Sequence, residues 1–207
     1  MLNAGTSLLL GTRNPGKIHE IKLILGDVGL ELFSLKEFEN VAVVVEDAET
    51  YARNAISKAR FYARATGLPA LADDSGLEVE ALGGAPGVIS ARYAGDDATD
   101  GDRRLLLLSE LGKTRSANRR ARFVCAIAIA SADGEVLNLS EGICEGLITF
   151  APRGTSGFGY DPLFVPDGYD ETFAELADEV KNQISHRARA LRKVRAFLSS
   201  ASSAPRR

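Results

Sequence analysis

Leu71–Gly95 reads LADDSGLEVEALGGAPGVISARYAG. A short apolar run meets two adjacent acids, Asp73 and Asp74, then Ser75-Gly76 and a glycine-rich stretch with a single arginine, Arg92. The apolar LPALA reads as a strand with the DDSG corner at its carboxyl end, and LEVEAL as a further strand. Adjacent strand residues point to opposite faces, so one carboxylate of the pair faces any given cleft. Ligands of α/β sheets collect at strand carboxyl ends. Carboxylates there suit Mg²⁺, which takes one or two of them together with phosphate oxygens and waters. The same Asp-Ser-Gly sequence also suits a solvated turn.

Towards the N-terminus, VAVVV (41–45) reads as a β-branched strand followed by a second acidic pair, Glu46-Asp47. Two strands ending in acids could converge on one cation. The acids could equally complement the N-terminus of the next helix. That helix spans Glu49–Thr66 by its apolar spacing, Ala52, Ala55, Ile56, Ala59 and Ala63, and is closed by Gly67. Further upstream, SLLLG is a strand, TRNPGK a turn, and KIHEIKLILG a helix ended by Gly26. A strand, a glycine turn and a helix aim backbone N–H groups at an anion, and Lys17 adds charge. The G-x-x-x-x-G-K-[ST] spacing of a P-loop is absent, and an ordinary βα turn has the same layout.

Towards the C-terminus, Thr99-x-x-Asp102 forms a capping box before the helix RRLLLLSELG. ARFVCAIAIAS and EVLNLSEGICEGLIT are strands joined by an Asp133-Gly134 hairpin signal. PRGTSGFGYDP follows, where Gly157 and Gly159 let backbone approach a flat ligand and Phe158 can stack on a base; a surface loop is the plain alternative. Ile184, Ala188, Leu191, Val194 and Leu198 stripe a final helix, and residues 201–207 form a tail.

The 207 residues carry a net charge of −3 and 45% hydrophobic residues, a globular composition with no bias towards a nucleic-acid polymer. No run approaches the roughly 20 apolar residues of a membrane span, and the N-terminus lacks the basic start of a signal peptide. Cys125 and Cys144 read as buried small hydrophobes, which fits a reduced, cytoplasmic setting. Strands and helices alternate around a long hairpin, so the fold class is α/β with a mixed sheet.

Taken together, TRNPGK, RNAISKAR, ADDSG with GGAPG and SARYAG, GFGYDPLF and KNQISHRARAL resemble the inosine triphosphate pyrophosphatase, or Ham1-like, family from about residue 8 to residue 194. Arg53 departs from the glutamate common before Asn54. The resemblance implies an elongated, two-lobed α/β fold, a central mixed sheet flanked by helices, over residues 1–200 as one domain with the substrate cleft between the lobes. It implies a homodimer that hydrolyses inosine, deoxyinosine and xanthosine triphosphates with Mg²⁺ to a monophosphate and pyrophosphate. By the same resemblance, Thr12, Arg13, Asn14, Pro15, Gly16 and Lys17 hold phosphates, with charge added by Lys58, Lys181 and Arg187. Glu46 and Asp74 hold the metal, Asp74 is the base, and Ser75 and Arg92 contact substrate. Phe158, Gly159, Tyr160 and Asp161 frame the base, and His186 reads its edge. Two other classes stay open: a phosphatase with Asp73 or Asp74 as nucleophile, and a nucleotide-binding module without turnover.

Overall fold

The computed structural model describes residues 5–38 and 40–202. Its strands are β1 (Ser7–Leu10), β2 (Glu31–Ser34), β3 (Ala70–Val79), β4 (Arg120–Ala130), β5 (Val136–Ile148) and β6 (Phe164–Pro166). Its α-helices are α1 (Pro15–Leu25), α2 (Tyr51–Thr66), α3 (Asp100–Lys113), α4 (Asp178–Ile184) and α5 (His186–Ser202). The strands form one six-stranded sheet in the order β2-β1-β3-β4-β5-β6. β1 runs parallel to β2 and to β3, while β5 and β6 are antiparallel, so the sheet is mixed as its sequence implies.

The chain divides into two compact units. The first comprises the chain through Asp74, Cys125–Gly142 and the residues from Arg187 onward. Parallel strands need crossover connections, and α1 and α2 supply them. Leu8 and Leu10 of β1 are fully buried, since a parallel strand is covered on both faces. They pack with Ile21 and Leu25 of α1, Cys125 and Ile127 of β4, and Leu191 and Val194 of α5. Thr50 caps α2 by accepting from the Arg53 N–H, and Gly67 closes it in the left-handed region at φ 69°. The β4–β5 hairpin turns through Ser131–Gly134, where the Gly134 N–H reaches the Ser131 carbonyl at 2.8 Å.

The second unit comprises Ser75–Val124 and Ile143–His186. Its core joins Leu77 and Val79 of β3, Leu107 and Leu111 of α3, Phe123, Ile148, Phe164 and Phe173. Thr99 and Asp102 close the expected capping box at the start of α3. Cys125 lies in the first core and Cys144 in the second, and neither is in a disulfide.

Three local expectations are corrected. VAVVV is not a strand: Val43 and Val45 are 73% and 77% exposed, and none of the sheet's strands takes residues 41–45 as a neighbour. β-branched residues favour a strand only when a pleated, half-buried surface receives them. Asp73-Asp74 does not end a strand; β3 continues through it to Val79, taking the first half of LEVEAL, and a 3₁₀ turn takes Glu80–Leu82. Ile184 is not on the final helix. Ser185 is extended at ψ 158° and separates α4 from α5, so Ile184 packs in the second core and Ala188 begins the stripe of α5. α5 reaches Ser202, and residues 203–207 of the expected tail lie outside the described residues.

Candidate active site

β3 carries Asp73 and Asp74 to opposite partners, as strand alternation requires. Asp73 Oδ2 lies 3.0 Å from Lys17 Nζ and 3.2 Å from both Arg187 Nε and Nη2. The remaining Arg187 nitrogen, Nη1, pairs with Glu20 at 2.5 Å. Burial by itself would raise the Asp73 carboxyl; Lys17, Arg187 and Lys58 outweigh it and hold the group well below the usual carboxylate range. Among the described residues, no hydrogen bond reaches Asp73 Oδ1.

Asp74 faces α2. Asn54 Nδ2 donates to Asp74 Oδ2 at 2.9 Å, and Lys58 Nζ lies 3.6 Å from Oδ1. The same ammonium meets Glu46 Oε1 at 2.5 Å. Burial raises the Asp74 carboxyl, and Glu46 adds to the rise against the opposing pull of Lys58 and Asn54. Burial would lower Lys58, but Asp73, Asp74 and Glu46 together keep it protonated. Asn54 also holds the segment that carries Glu46, receiving the Ala48 N–H at 3.1 Å. Arg13 braces that segment by donating to the Val41 carbonyl at 2.9 Å.

The expected turn TRNPGK is shorter than its sequence suggests: α1 already begins at Pro15. Asn14 caps α1 by accepting the Lys17 N–H, Thr12 Oγ1 accepts the Asn14 N–H at 3.2 Å, and Pro15 occupies the first helical position. Gly16, next in the first turn, is half-buried. The N-terminus of α1 is thus presented with Lys17 beside it.

Glu46 and Asp74 converge on a single cation, the Lys58 ammonium. Two carboxylates meeting at one positive charge are a donor set that fits magnesium, with phosphate oxygens and waters completing the shell. No cluster of three or more His, Cys, Asp or Glu gathers among the described residues.

A second constellation lies in the other unit. Asp161 Oδ2 accepts the Phe158 N–H at 2.9 Å and pairs with Lys181 Nζ at 2.7 Å. That ammonium sits 4.9 Å from the Phe158 ring centroid. Gly157 is required here, because a Cβ would collide with Asp161 Oδ2 and φ is 76°. His186 stacks on Phe123 with centroids 4.6 Å apart and 10° between planes. Tyr160 is buried, and its hydroxyl donates to the Ser90 carbonyl at 3.0 Å. Ser90 Oγ in turn accepts the Leu77 N–H at 2.9 Å. Ser75 and Arg92 are half-buried in the same unit.

A family model described as Ham1 family matches residues 8–197. The chain belongs to the Ham1 family. It is 50% identical over 186 residues to the dITP/XTP pyrophosphatase of Geobacter sulfurreducens, covering 90% of this chain and 93% of that protein. It is 48% identical over 188 residues to a dITP/XTP pyrophosphatase of Thermus thermophilus, covering 91% and 89%. A HAM1 protein from Coxiella burnetii superposes with a TM-score of 0.87 at 41% identity, covering 94% of this chain and 99% of that one.

Within this Ham1 fold, Lys17, Glu46, Lys58, Asp74 and the 12–16 turn gather in the first unit, and Phe158, Gly159, Asp161, Lys181 and His186 in the second. Three of the expected site residues have partners within the chain. Arg187 is 2% exposed and its guanidinium is committed to Asp73 and Glu20. Tyr160 belongs to the second core. Lys181 pairs with Asp161 and sits over the Phe158 ring. Asn54, Glu20 and the bracing role of Asp73 were not among the expected site residues. For Asn54 the signal was a polar residue at a buried helical position: Asn54 and Lys58 stand four apart on the same face of α2 as Ala55 and Ala59.

Proposed function

We propose that this protein hydrolyses non-standard purine nucleoside triphosphates (dITP, XTP and ITP) to the monophosphate and pyrophosphate. The observation that carries the reading is Lys58 between Glu46 and Asp74, with Asp74 held by Asn54. It is supported by 50% identity to a relative named for this activity.

In this mechanism the N-terminal turn of α1 and Lys17 bind phosphate oxygens through N–H groups and charge. Lys58 neutralises charge that builds on the pyrophosphate as it leaves. Asp74, oriented by Asn54, takes a proton from the attacking water. The water oxygen bonds to the α-phosphorus while the bond from that phosphorus to the bridging oxygen breaks, so the bridging oxygen leaves with pyrophosphate. Glu46 and Asp74 would hold Mg²⁺, which supplies neutralisation of the phosphate oxygens. Asn54 fixes the Asp74 carboxylate, and Asp73 fixes the Lys17 ammonium.

Phe158 stacks on the base without choosing among bases. Choice rests on donors matched to a 6-oxo group, because an adenine amino group would leave a buried donor unsatisfied at a cost of about 1–3 kcal/mol. The N–H groups of Phe158, Gly159 and Asp161 are already engaged within the chain. Reading therefore falls chiefly on side chains, His186 foremost.

The deciding experiment is product analysis with dITP, XTP and ITP in the presence of Mg²⁺. Monophosphate and pyrophosphate are expected. Diphosphate with orthophosphate would overturn the reading in favour of a phosphatase, and binding without products in favour of a sensor. The same reading makes the protein a cytoplasmic homodimer, which sedimentation equilibrium checks for assembly. No helix among the described residues is long and apolar enough to cross a membrane.

A further inference from the structure

The Gly157–Asp161 segment contains two glycines in the left-handed region, Gly157 at φ 76° and Gly159 at φ 59°. Such a segment has many accessible conformations by itself. Gly159 is nevertheless gripped on both sides by the N-terminal end of α3. Its N–H donates to Asp100 Oδ2 at 2.7 Å, and its carbonyl accepts from Arg104 Nη1 at 2.7 Å. These are charge-assisted bonds, shorter and stronger than neutral ones. They immobilise the two consecutive peptide groups that follow Phe158.

The grip is itself braced. Arg103 Nη2 holds the other Asp100 oxygen at 2.6 Å, and Arg103 Nη1 reaches the carbonyls of Ala91 and Ala98 at 2.8 and 2.7 Å. Asp100 is the first residue of α3 and stands beside the Thr99–Asp102 capping box, so its backbone is fixed by helix geometry. Tyr160 is anchored separately through the Ser90 carbonyl. Phe158 is thus the half-buried residue of a segment whose following residues are all tied down.

We propose that Asp100 and Arg104 are specificity-determining positioning residues, a clamp that sets the backbone carrying Phe158 so that only a base with the right edge pattern fits. The inference rests on the reading of this segment as the base-recognition loop. Hydrogen-bond discrimination needs donor and acceptor within a few tenths of an ångström, which a loose glycine loop cannot supply. By engaging both polar groups of Gly159, the clamp also denies any base an indiscriminate backbone partner there. Freed of it, the loop could adapt its N–H or carbonyl to adenine as well as to hypoxanthine.

The test measures kcat and KM for ITP and ATP on the full-length protein and on Asp100→Ala, Arg104→Ala, Asp100→Asn and Arg104→Lys, with thermal unfolding of each. The two alanine variants should lower the ITP-over-ATP ratio of kcat/KM by about tenfold, the scale of one net hydrogen bond. Asp100→Asn keeps an oxygen acceptor and Arg104→Lys keeps a charged donor, so both should recover part of the ratio. Ratios in all four variants equal to the unaltered protein overturn the clamp, as does an equal loss for both nucleotides, which marks a brace for folding alone. An unaltered protein that does not prefer ITP to ATP overturns the base-recognition reading and the clamp with it, a result distinct from failure of the variants alone.

Discussion

Asn54 and Asp74, twenty residues apart in sequence, meet at 2.9 Å through Asn54 Nδ2 and Asp74 Oδ2. This bond orients a carboxylate that also faces Lys58, and in the proposed mechanism that carboxylate is the base. Asp74→Asn should reduce kcat for dITP by about 10²–10⁴-fold, the span of a lost general base, with a much smaller change in KM. Steady-state kinetics on the purified variant check it. Near-normal turnover would move the role to Asp73.

Arg187→Ala is expected to act on stability. It leaves Asp73 and Glu20 buried with an ion-pair partner removed, which costs about 3–5 kcal/mol. Urea unfolding with a linear extrapolation measures this. A variant of unaltered stability but raised KM would instead return Arg187 to phosphate binding.

His186→Ala should erode the preference for ITP over ATP, whereas Phe158→Ala should weaken both nucleotides alike, because any base has a π-face. The comparison is kcat/KM for the two substrates on both variants. An unchanged ratio in His186→Ala would confine that ring to its stack on Phe123.

Asp100 gives a pH signature. Burial raises its carboxyl, but Arg103, the Gly159 N–H and Arg104 outweigh this and lower it below the usual value. A carboxyl lowered in the folded state adds stability above its unfolded pKa and loses it as pH falls through the folded pKa. Stability should therefore decline below about pH 4, the ordinary carboxylate range, and less of that decline should remain in Asp100→Asn. Unfolding midpoints across the acid range give the comparison.

Burial pushes the Cys125 thiol up to about 12. At pH 8 the folded protein should resist a disulfide-exchange reagent at this position, since the thiolate is the reactive form. Both cysteines should react once the chain is unfolded in denaturant. Rapid labelling of Cys125 in the folded state would contradict its place in the first core.

Local chemistry made much of this protein legible in its sequence. The capping box at Thr99, the stop at Gly67 and the hairpin at Asp133-Gly134 depend on residues a few positions apart, so short stretches encode them. The motifs of the Ham1 family were readable for the same reason. Tertiary structure decided what the long-range partners control. VAVVV had the composition of a strand but no strand to pair with, and Asp73-Asp74 had the look of a corner but neighbours that carried β3 straight through. Arg187, indistinguishable in sequence from a solvated helix charge, is drawn inward because Asp73 and Glu20, 114 and 167 residues away, supply the counter-charges that make burial affordable. A charge leaves water only where such partners converge, and their convergence is a property of the folded chain.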